Sequence, residues 1–318
     1  MLLSIVVPCY NEQEVIPFFL EELYKITDKM KSYQFEIVFV NDGSTDRTLH
    51  DIKNYARTDA QIRYVSFSRN FGKESAIYAG LHKAKGDLVA VMDADLQDPP
   101  SLLPDMCHAV EAEGYDAAAT RRSSRRGEPV VRSVFAKLFY KLINKMTEVE
   151  IVDGARDFRV MSRKYVNALL GMKEYNRFSK GLYSWVGFRV KWFSYENVQR
   201  AAGHTKWSFW SLFQYSIEGI AAFTTTPLVL ASFVGLILCI CTVLAVLFII
   251  VRRIVFGDPV DGWASLACLI TFMGGCQMFF FGIMGQYIAK MYLENKRRPI
   301  YIVDEETDET DHSAVRRF

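Results

Sequence analysis

The stretch that decides the fold covers residues 88–100 and reads LVAVMDADLQDPP. Its first part is a short apolar run rich in valine, which is typical of a strand buried on both faces of a parallel sheet. Two aspartates, Asp93 and Asp95, follow this run directly. Ligands of such sheets bind at the carboxyl ends of the strands, so this pair stands where a ligand is expected. Carboxylates in this arrangement suit one hard divalent cation, although the same pattern also occurs in ordinary turns.

The sequence before this stretch alternates in the same way. Apolar runs of strand length occupy 2–8, 35–41, 62–67 and 87–93, and longer mixed runs that are compatible with helices separate them. This alternation predicts an α/β fold with a mainly parallel sheet flanked by helices. Polar residues follow two further strands, in the runs PCYNE and NDGSTD. Three strand ends at one edge of the sheet are therefore expected to present polar or charged side chains.

Composition excludes some classes of function. The chain has 318 residues and a formal charge of +2, from 38 basic and 36 acidic side chains, which favours no nucleic-acid partner. The six cysteines lack metal-ligand spacing, so we expect a reducing compartment or a bilayer rather than a disulfide framework. The N-terminus shows no secretory signal, which predicts a cytoplasmic first domain.

The apolar residues are concentrated near the C-terminus. The runs 228–251 and 263–289 carry no formal charge, and at about 1.5 Å per residue each is long enough to cross a bilayer core of about 30 Å. The basic cluster after the second run predicts that head and tail are cytoplasmic. We therefore expect a multi-pass protein of the cell membrane, with a catalytic domain over 1–226, a two-helix transmembrane hairpin over 227–290 and a cytoplasmic tail over 291–318.

Two further segments favour contact with a membrane surface. Residues 132–147 form a basic amphipathic pattern, and residues 207–222 begin with a cluster of tryptophan and phenylalanine. Both patterns are typical of interfacial helices. For the first segment, a helix that packs on the protein core with a solvated lysine face remains the alternative.

At this point the chain resembles the family-two glycosyltransferases of GT-A fold. Within them it is similar to the polyprenyl-phosphate enzymes, such as bactoprenol glucosyltransferases and dolichyl-phosphate mannose synthase. The resemblance covers nearly the whole chain in order. Its motifs are PCYNE (8–12), NDGS (41–44), RNFGKESA (69–76), DADLQDPP (93–100), RDFRVMSR (156–163), RFSKG (177–181) and GHTKWSFW (203–210).

The resemblance implies a role for each matched residue. The nucleotide sugar is expected at Pro8, Tyr10, Glu12, Asp42, Asp93 and Arg121. The divalent cation, Mg²⁺ or Mn²⁺, is expected at Asp93, Asp95 and Gln97. Asp95 and Asp157 are the expected catalytic residues, although Asp157 would alternatively be a strand-end carboxylate paired with Arg156 or Arg159. The acceptor phosphate is expected at Arg132, His204 and Lys206.

The resemblance also implies the reaction and its partners. We expect an inverting transfer of glucose or N-acetylglucosamine from a UDP-sugar to undecaprenyl (polyprenyl) phosphate at the cytoplasmic membrane face, which supplies lipid-linked sugar for cell-envelope polysaccharide. A homo-oligomer is expected, and no nucleic acid. Two alternatives stay open. A processive polysaccharide synthase is disfavoured because the chain lacks a Gln-x-x-Arg-Trp signature, and a catalytically silent membrane scaffold is disfavoured because Asp93, Asp95 and Asp157 are intact.

Overall fold

The computed structural model describes residues 1–122, 144, 152, 154–195, 224–256 and 262–307. These residues contain one eight-stranded sheet, eight α-helices and a short 3₁₀ turn. The strands are β1 (Leu2–Cys9), β2 (Gln34–Asn41), β3 (Ile62–Phe67), β4 (Leu88–Val91), β5 (Ala117–Arg122), β6 (Ala155–Ser162), β7 (Val190–Tyr195) and β8 (Val303–Glu306). The helices are α1 (Ile16–Thr27), α2 (Thr48–Thr58), α3 (Lys73–Lys83), α4 (Leu103–Glu111), α5 (Arg163–Gly171), α6 (Ser179–Trp185), α7 (Thr226–Phe256) and α8 (Trp263–Asn295), and a 3₁₀ turn spans Pro100–Leu102.

The sheet has the strand order β7-β5-β6-β4-β1-β2-β3-β8. Its centre is parallel, because β1 pairs with both β2 and β4, and β2 pairs with β3. Strand β6 runs antiparallel beside β4, with Val91 opposite Arg159. The carboxyl ends of β1, β2 and β4 and the amino end of β6 therefore meet at one edge of the sheet, which we call the rim. This architecture confirms the predicted α/β class with a mainly parallel sheet flanked by helices.

Two apolar layers hold the central strands. On one face, Phe19 of α1 packs against Phe39 of β2, with ring centroids 6.3 Å apart, in a cluster that also buries Met106 of α4 and Phe158 of β6. On the other face, α3 lies so close to β1 that a Cβ atom at Gly80 would stand 2.1 Å from a Val6 methyl carbon. Because the strands are buried on both faces, the register of the rim is fixed.

The chain also forms a strand that its sequence pattern does not predict. Strand β8 pairs antiparallel with β3 at the edge of the sheet. Lys53 contacts Glu305 at 2.6 Å and Lys83 contacts Glu306 at 2.7 Å, while the ring of Tyr301 stacks on Phe67 with centroids 4.9 Å apart. The described residues 298–307 therefore belong to the same compact unit as the strands of the sheet.

The second compact unit spans 214–297 and contains α7 and α8. Within the described ranges, no helix combines the length and the apolar character that crossing a membrane requires. This finding contradicts the two transmembrane helices expected over 228–251 and 263–289, and with them the multi-pass membrane location. The expectation rested on the length and the uncharged, apolar character of the two runs, of which the second is interrupted by Gln277, Gln286 and several glycines. The amphipathic segments expected at 132–147 and 207–222 lie outside the described residues, apart from residue 144.

The contact between the returning tail and β3 predicts a measurable loss of stability. Replacing Tyr301 with alanine removes the stacking on Phe67, and we expect a cost of about 1–3 kcal/mol in the free energy of unfolding, measured by urea denaturation. Ile302→Ala is the matched control, because this neighbour is 51% exposed and should change stability by less than about 0.5 kcal/mol. Equal losses in the two variants would contradict the packing described for the tail.

Candidate active site

Three carboxylates from two strands converge at the rim. Asp93 and Asp95 follow β4, and Asp157 lies in β6, which is the next strand in the sheet. Asp93 and Asp157 are about four-fifths buried, with side-chain exposures of 19% and 18%. The backbone N–H of Gln97 donates to Asp95 Oδ1 at 3.2 Å. The structure therefore places Asp93 and Asp157 on either side of one group, Lys73, while the catalytic and cation-binding roles expected for these residues, Asp95 and Gln97 remain predictions.

The ammonium group of Lys73 bridges two of these carboxylates. Its Nζ atom stands 2.7 Å from Asp93 Oδ1 and 2.5 Å from Asp157 Oδ2. Burial lowers the pKa of Lys73, but the charges of Asp157 and Asp93 outweigh it, so the net pKa is raised and the amine stays protonated. No role for Lys73 follows from the sequence pattern alone. Its signals are its place in the RNFGKESA motif (69–76) and its position as the first residue of α3.

Asp157 is held in its ionised form. Burial raises the pKa of this carboxyl, but the charges of Lys73, Lys180 and Arg156 lower it further, so the net pKa lies below the usual range. The sequence left Arg156 and Arg159 as alternative partners of Asp157, but the partner in the structure is Lys73. Asp157 pairs with neither Arg156 nor Arg159, since Arg156 pairs with Asp98 at 2.9 Å.

The loop after β4 is fixed by a second polar cluster. Arg156 and Tyr195 both donate to Asp98, which is buried. The side-chain oxygen of Gln97 accepts from Arg122 and Arg156, each at 3.2 Å. Between Asp95 and Gln97, Leu96 has a φ of 55°, a left-handed conformation that a branched side chain adopts only under constraint. The turn that presents Asp93 and Asp95 is therefore strained and held from both sides.

The donor set at the rim fits a divalent cation. Asp93 and Asp95 supply hard carboxylate oxygens, and the Lys73 ammonium beside Asp93 shows that the place accepts positive charge. Among the described residues, no group of three or more histidines, cysteines or acidic residues is arranged to hold a metal. Mg²⁺ needs fewer protein ligands than three, since one or two carboxylates together with substrate phosphates suffice. Gln97, the third expected ligand, has an oxygen already engaged by two guanidinium groups, and its role as a ligand stays a prediction.

The residues expected to bind the nucleotide line the ends of β1 and β2. Pro8 pairs with Val40, Tyr10 is exposed, and the backbone N–H of Glu12 donates to Thr48 Oγ1 at 2.8 Å. Asp42 is buried, and its carboxylate accepts from the backbone N–H of Phe71 at 2.6 Å and of Gly72 at 2.9 Å. Burial raises the pKa of Asp42, although these two hydrogen bonds oppose the shift. Asp42 thus fixes the loop that carries Lys73.

The residues expected at the phosphates are only partly described. Arg121 is the last residue but one of β5 and is exposed, and its Nε donates to Ser194 Oγ at 2.9 Å. Arg132, His204 and Lys206 lie outside the described residues. Their roles, like the individual roles of the other expected site residues, remain predictions.

The ion pair at the rim predicts a pH-dependent contribution to stability. Since the folded pKa of Asp157 is lowered, its contribution is complete above the unfolded value of about 4 and is lost as the pH falls towards the folded pKa. We therefore expect the difference in unfolding free energy between the wild type and Asp157→Asn to shrink from pH 7 to pH 3. Asp28→Asn, at an exposed position, is the control. A difference that is constant across this pH range would contradict the ion pair.

Comparisons with known proteins place the chain in a family. Residues 4–170 match the model of glycosyl transferase family 2. The CsbB protein of Bacillus subtilis is 44% identical, over 96% of this chain and 92% of its own length. The prophage bactoprenol glucosyl transferase homolog of Escherichia coli is 40% identical, over 95% of this chain and 98% of its own. The bactoprenol glucosyl transferase of Shigella phage SfV is also 40% identical, over 96% and 99%.

Solved structures show a more distant likeness. The mannosyltransferase PcManGT from Pyrobaculum calidifontis, in complex with GDP-Man and Mn²⁺, is 17% identical and covers 93% of this chain and 87% of its own, with a TM-score of 0.49. Glucosyl-3-phosphoglycerate synthase from Mycobacterium tuberculosis, in complex with Mn²⁺, UDP-Glc and phosphoglyceric acid, is 21% identical and covers 69% and 77%, with a TM-score of 0.46. The match to the family model and the curated relatives settle the assignment: the chain belongs to glycosyl transferase family 2, and it is a glycosyltransferase.

Proposed function

We propose that the protein transfers a hexose, glucose or N-acetylglucosamine, from a UDP-sugar to a polyprenyl phosphate with inversion at the anomeric carbon. The observation that carries the proposal is the rim, where Lys73 lies between Asp93 and Asp157. Support for the acceptor comes from the relatives described as bactoprenol glucosyl transferases, which align over nearly the full chain. The product would serve as a lipid-linked sugar for cell-envelope polysaccharide.

The donor diphosphate is proposed to bind at the Asp93 side of the rim. The bond between the anomeric carbon and the diphosphate breaks, and the leaving group takes the electron pair and gains negative charge. Asp93 and Asp95 would hold a divalent cation, which would supply electrostatic stabilisation of that charge. Lys73 adds a fixed positive charge at the same place, because its raised pKa keeps the amine protonated. Removing any of these charges should therefore slow the chemical step.

Asp157 is proposed to orient groups rather than to remove a proton. A carboxylate whose pKa lies below its usual range is a weak base near neutral pH. The acceptor needs no strong base, because a phosphate monoester already carries about −1.5 to −2 charges at pH 7. One phosphate oxygen of the acceptor forms the new bond to the anomeric carbon from the face opposite the leaving diphosphate. An α-linked donor therefore yields a β-linked product.

The two alternatives lose support. Membership of a glycosyltransferase family disfavours the silent scaffold, and the intact rim carboxylates agree with activity. A processive polysaccharide synthase stays disfavoured, because this chain lacks the Gln-x-x-Arg-Trp signature of such enzymes.

The cation-binding role of Asp95 predicts the effect of a single substitution. Asp95→Asn keeps the size of the side chain but removes its charge, and we expect sugar transfer to fall by at least about 100-fold. EDTA should likewise stop the wild-type reaction, and added Mn²⁺ or Mg²⁺ should restore it. Asp28→Asn, with the same chemical change at an exposed site, should keep its activity. Full activity of Asp95→Asn, or of the wild type in EDTA, would exclude the role.

The donor and the acceptor are tested together in one assay. The full chain, purified in detergent with undecaprenyl phosphate, is incubated separately with radiolabelled UDP-glucose, UDP-N-acetylglucosamine, UDP-galactose and GDP-mannose. We expect lipid-soluble label with UDP-glucose or UDP-N-acetylglucosamine, and none when the undecaprenyl phosphate is omitted. If no donor labels the lipid, the proposed acceptor is wrong.

A further inference from the structure

The returning C-terminal tail contacts the loop that leads to Lys73. This loop, residues 68–72, joins β3 to α3, and we call it the β3–α3 loop. At its start, the backbone N–H of Ser68 donates to the carbonyl oxygen of Ile302 at 3.1 Å. Strand β8, which follows in the tail, pairs antiparallel with β3. The tail is thus bonded to the chain on the path that leads to the rim.

Tyr301 lies in the corner between β3 and α3. Its ring stacks on Phe67, the last residue of β3, with centroids 4.9 Å apart and planes at 19°. It also meets Tyr78 of α3 edge-on, with ring centroids 6.4 Å apart. Both distances fall in the range of favourable aromatic pairs. Tyr301 therefore contacts both of the elements that the β3–α3 loop joins.

The aromatic contacts continue into the loop itself. The ring of Phe71 meets Phe67 edge-on, with centroids 5.8 Å apart and planes at 89°. The backbone N–H of Phe71 donates to the buried carboxylate of Asp42 at 2.6 Å. A row of three packed rings, from Tyr301 through Phe67 to Phe71, therefore ends two residues before Lys73.

The loop is also packed closely against the turn after β2. Gly43 of this turn has a φ of 63°, and a Cβ atom there would stand 2.3 Å from the carbonyl carbon of Arg69 and 2.5 Å from the backbone nitrogen of Asn70. Packing this close transmits strain rather than absorbing it. The contacts with the tail and with Gly43 leave the loop little freedom, so a change at Tyr301 is expected to move its far end.

We propose that Tyr301 is a positioning residue of the active site: its ring sets the β3–α3 loop, and the loop sets the ammonium group of Lys73 at the rim. Lys73 contacts Asp93 at 2.7 Å and Asp157 at 2.5 Å, and contacts this short depend on where α3 begins. The inference rests on the proposed function, because the donor diphosphate is proposed to bind beside Lys73. It gives the tail a part in donor binding in addition to its contribution to stability.

Hydrogen exchange of the full chain, followed by mass spectrometry, tests the effect on the loop without any ligand. In Tyr301→Ala we expect the backbone amides of residues 68–78 to exchange at least about 5-fold faster than in the wild type, because the loop opens more often. Tyr301→Phe keeps the stacked ring and should stay within about twofold of the wild type. Tyr301→Leu keeps apolar volume without the ring, and a change in the same direction is expected if Tyr301→Ala does not fold.

Ile52→Val is the matched control for a general loss of stability. Ile52 is buried in the apolar cluster on the other face of the sheet, so this variant weakens the fold without touching the tail or the β3–α3 loop. Exchange of residues 68–78 should not change in it beyond the rest of the chain. Unchanged exchange in Tyr301→Ala, or the same local increase in Ile52→Val, would contradict the proposal.

Titration of UDP in the presence of Mn²⁺, by calorimetry, tests the effect on the donor site. We expect the Kd of UDP to rise roughly 10-fold in Lys73→Met, as for the loss of a hydrogen bond between charged groups, and roughly 5-fold in Tyr301→Ala. The double variant should bind UDP no more weakly than Lys73→Met, because Tyr301 acts through that lysine. Tyr301→Phe and Ile302→Ala should match the wild type. Additive losses in the double variant, or an unchanged Kd in Tyr301→Ala, would overturn the role of Tyr301.

An assay of sugar transfer to undecaprenyl phosphate separates this inference from the proposed function. If the wild type labels no lipid but the exchange and UDP results are as expected, the role of Tyr301 stands and the proposed acceptor is wrong. If the wild type labels the lipid but Tyr301→Ala binds UDP with unchanged affinity, the function stands and Tyr301 is not a positioning residue.

Discussion

The active site depends on one ammonium group that lies between two carboxylates. Asp93 and Asp157 come from neighbouring strands, and without a cation between them their charges would repel each other at the closest point of the rim. Lys73 removes this repulsion and joins α3 to the ends of β4 and β6. The same contact lowers the pKa of Asp157 and raises that of Lys73, so both groups stay charged near neutral pH. The charges of the rim are thus already in place near neutral pH, as the proposed stabilisation of a departing diphosphate requires.

The surroundings of Lys73 explain why its position is defined. Asp42 binds the backbone of the loop before α3, and Glu74, the next residue in the helix, accepts from the backbone N–H and the hydroxyl of Ser179. Burial raises the pKa of Glu74, and hydrogen bonds from Ser179 oppose that shift. These contacts join the start of α3 to β2 on one side and to α6 on the other. The helix that carries Lys73 is therefore held at the rim.

The sequence predicts the part of the structure that follows from local pattern. The valine-rich strands, their parallel order and the place of Asp93 and Asp95 at a strand end follow from apolar runs that end in polar residues, whereas Asp157 was expected only from the family resemblance. Lys73 escapes prediction because the reach of a lysine side chain across two strand ends is set by tertiary packing. Strand β8 escapes it for a related reason, since Val303–Glu306 is short and acidic and is a strand only because β3 offers an edge and two lysines. The prediction of two membrane-spanning helices over 228–251 and 263–289 was wrong for the described residues, because a long uncharged run is not sufficient evidence for such a helix.

The proposed function requires that the rim carboxylates bind the cation that accompanies the donor diphosphate. A crystal structure with UDP and Mn²⁺, analysed by anomalous scattering at the manganese edge, tests it most directly. We expect one manganese ion, bound by Asp93, Asp95 and the diphosphate, with Lys73 still in contact with Asp157. A manganese peak and a nucleotide elsewhere on the protein, with the carboxylates contacting only Lys73, would contradict it.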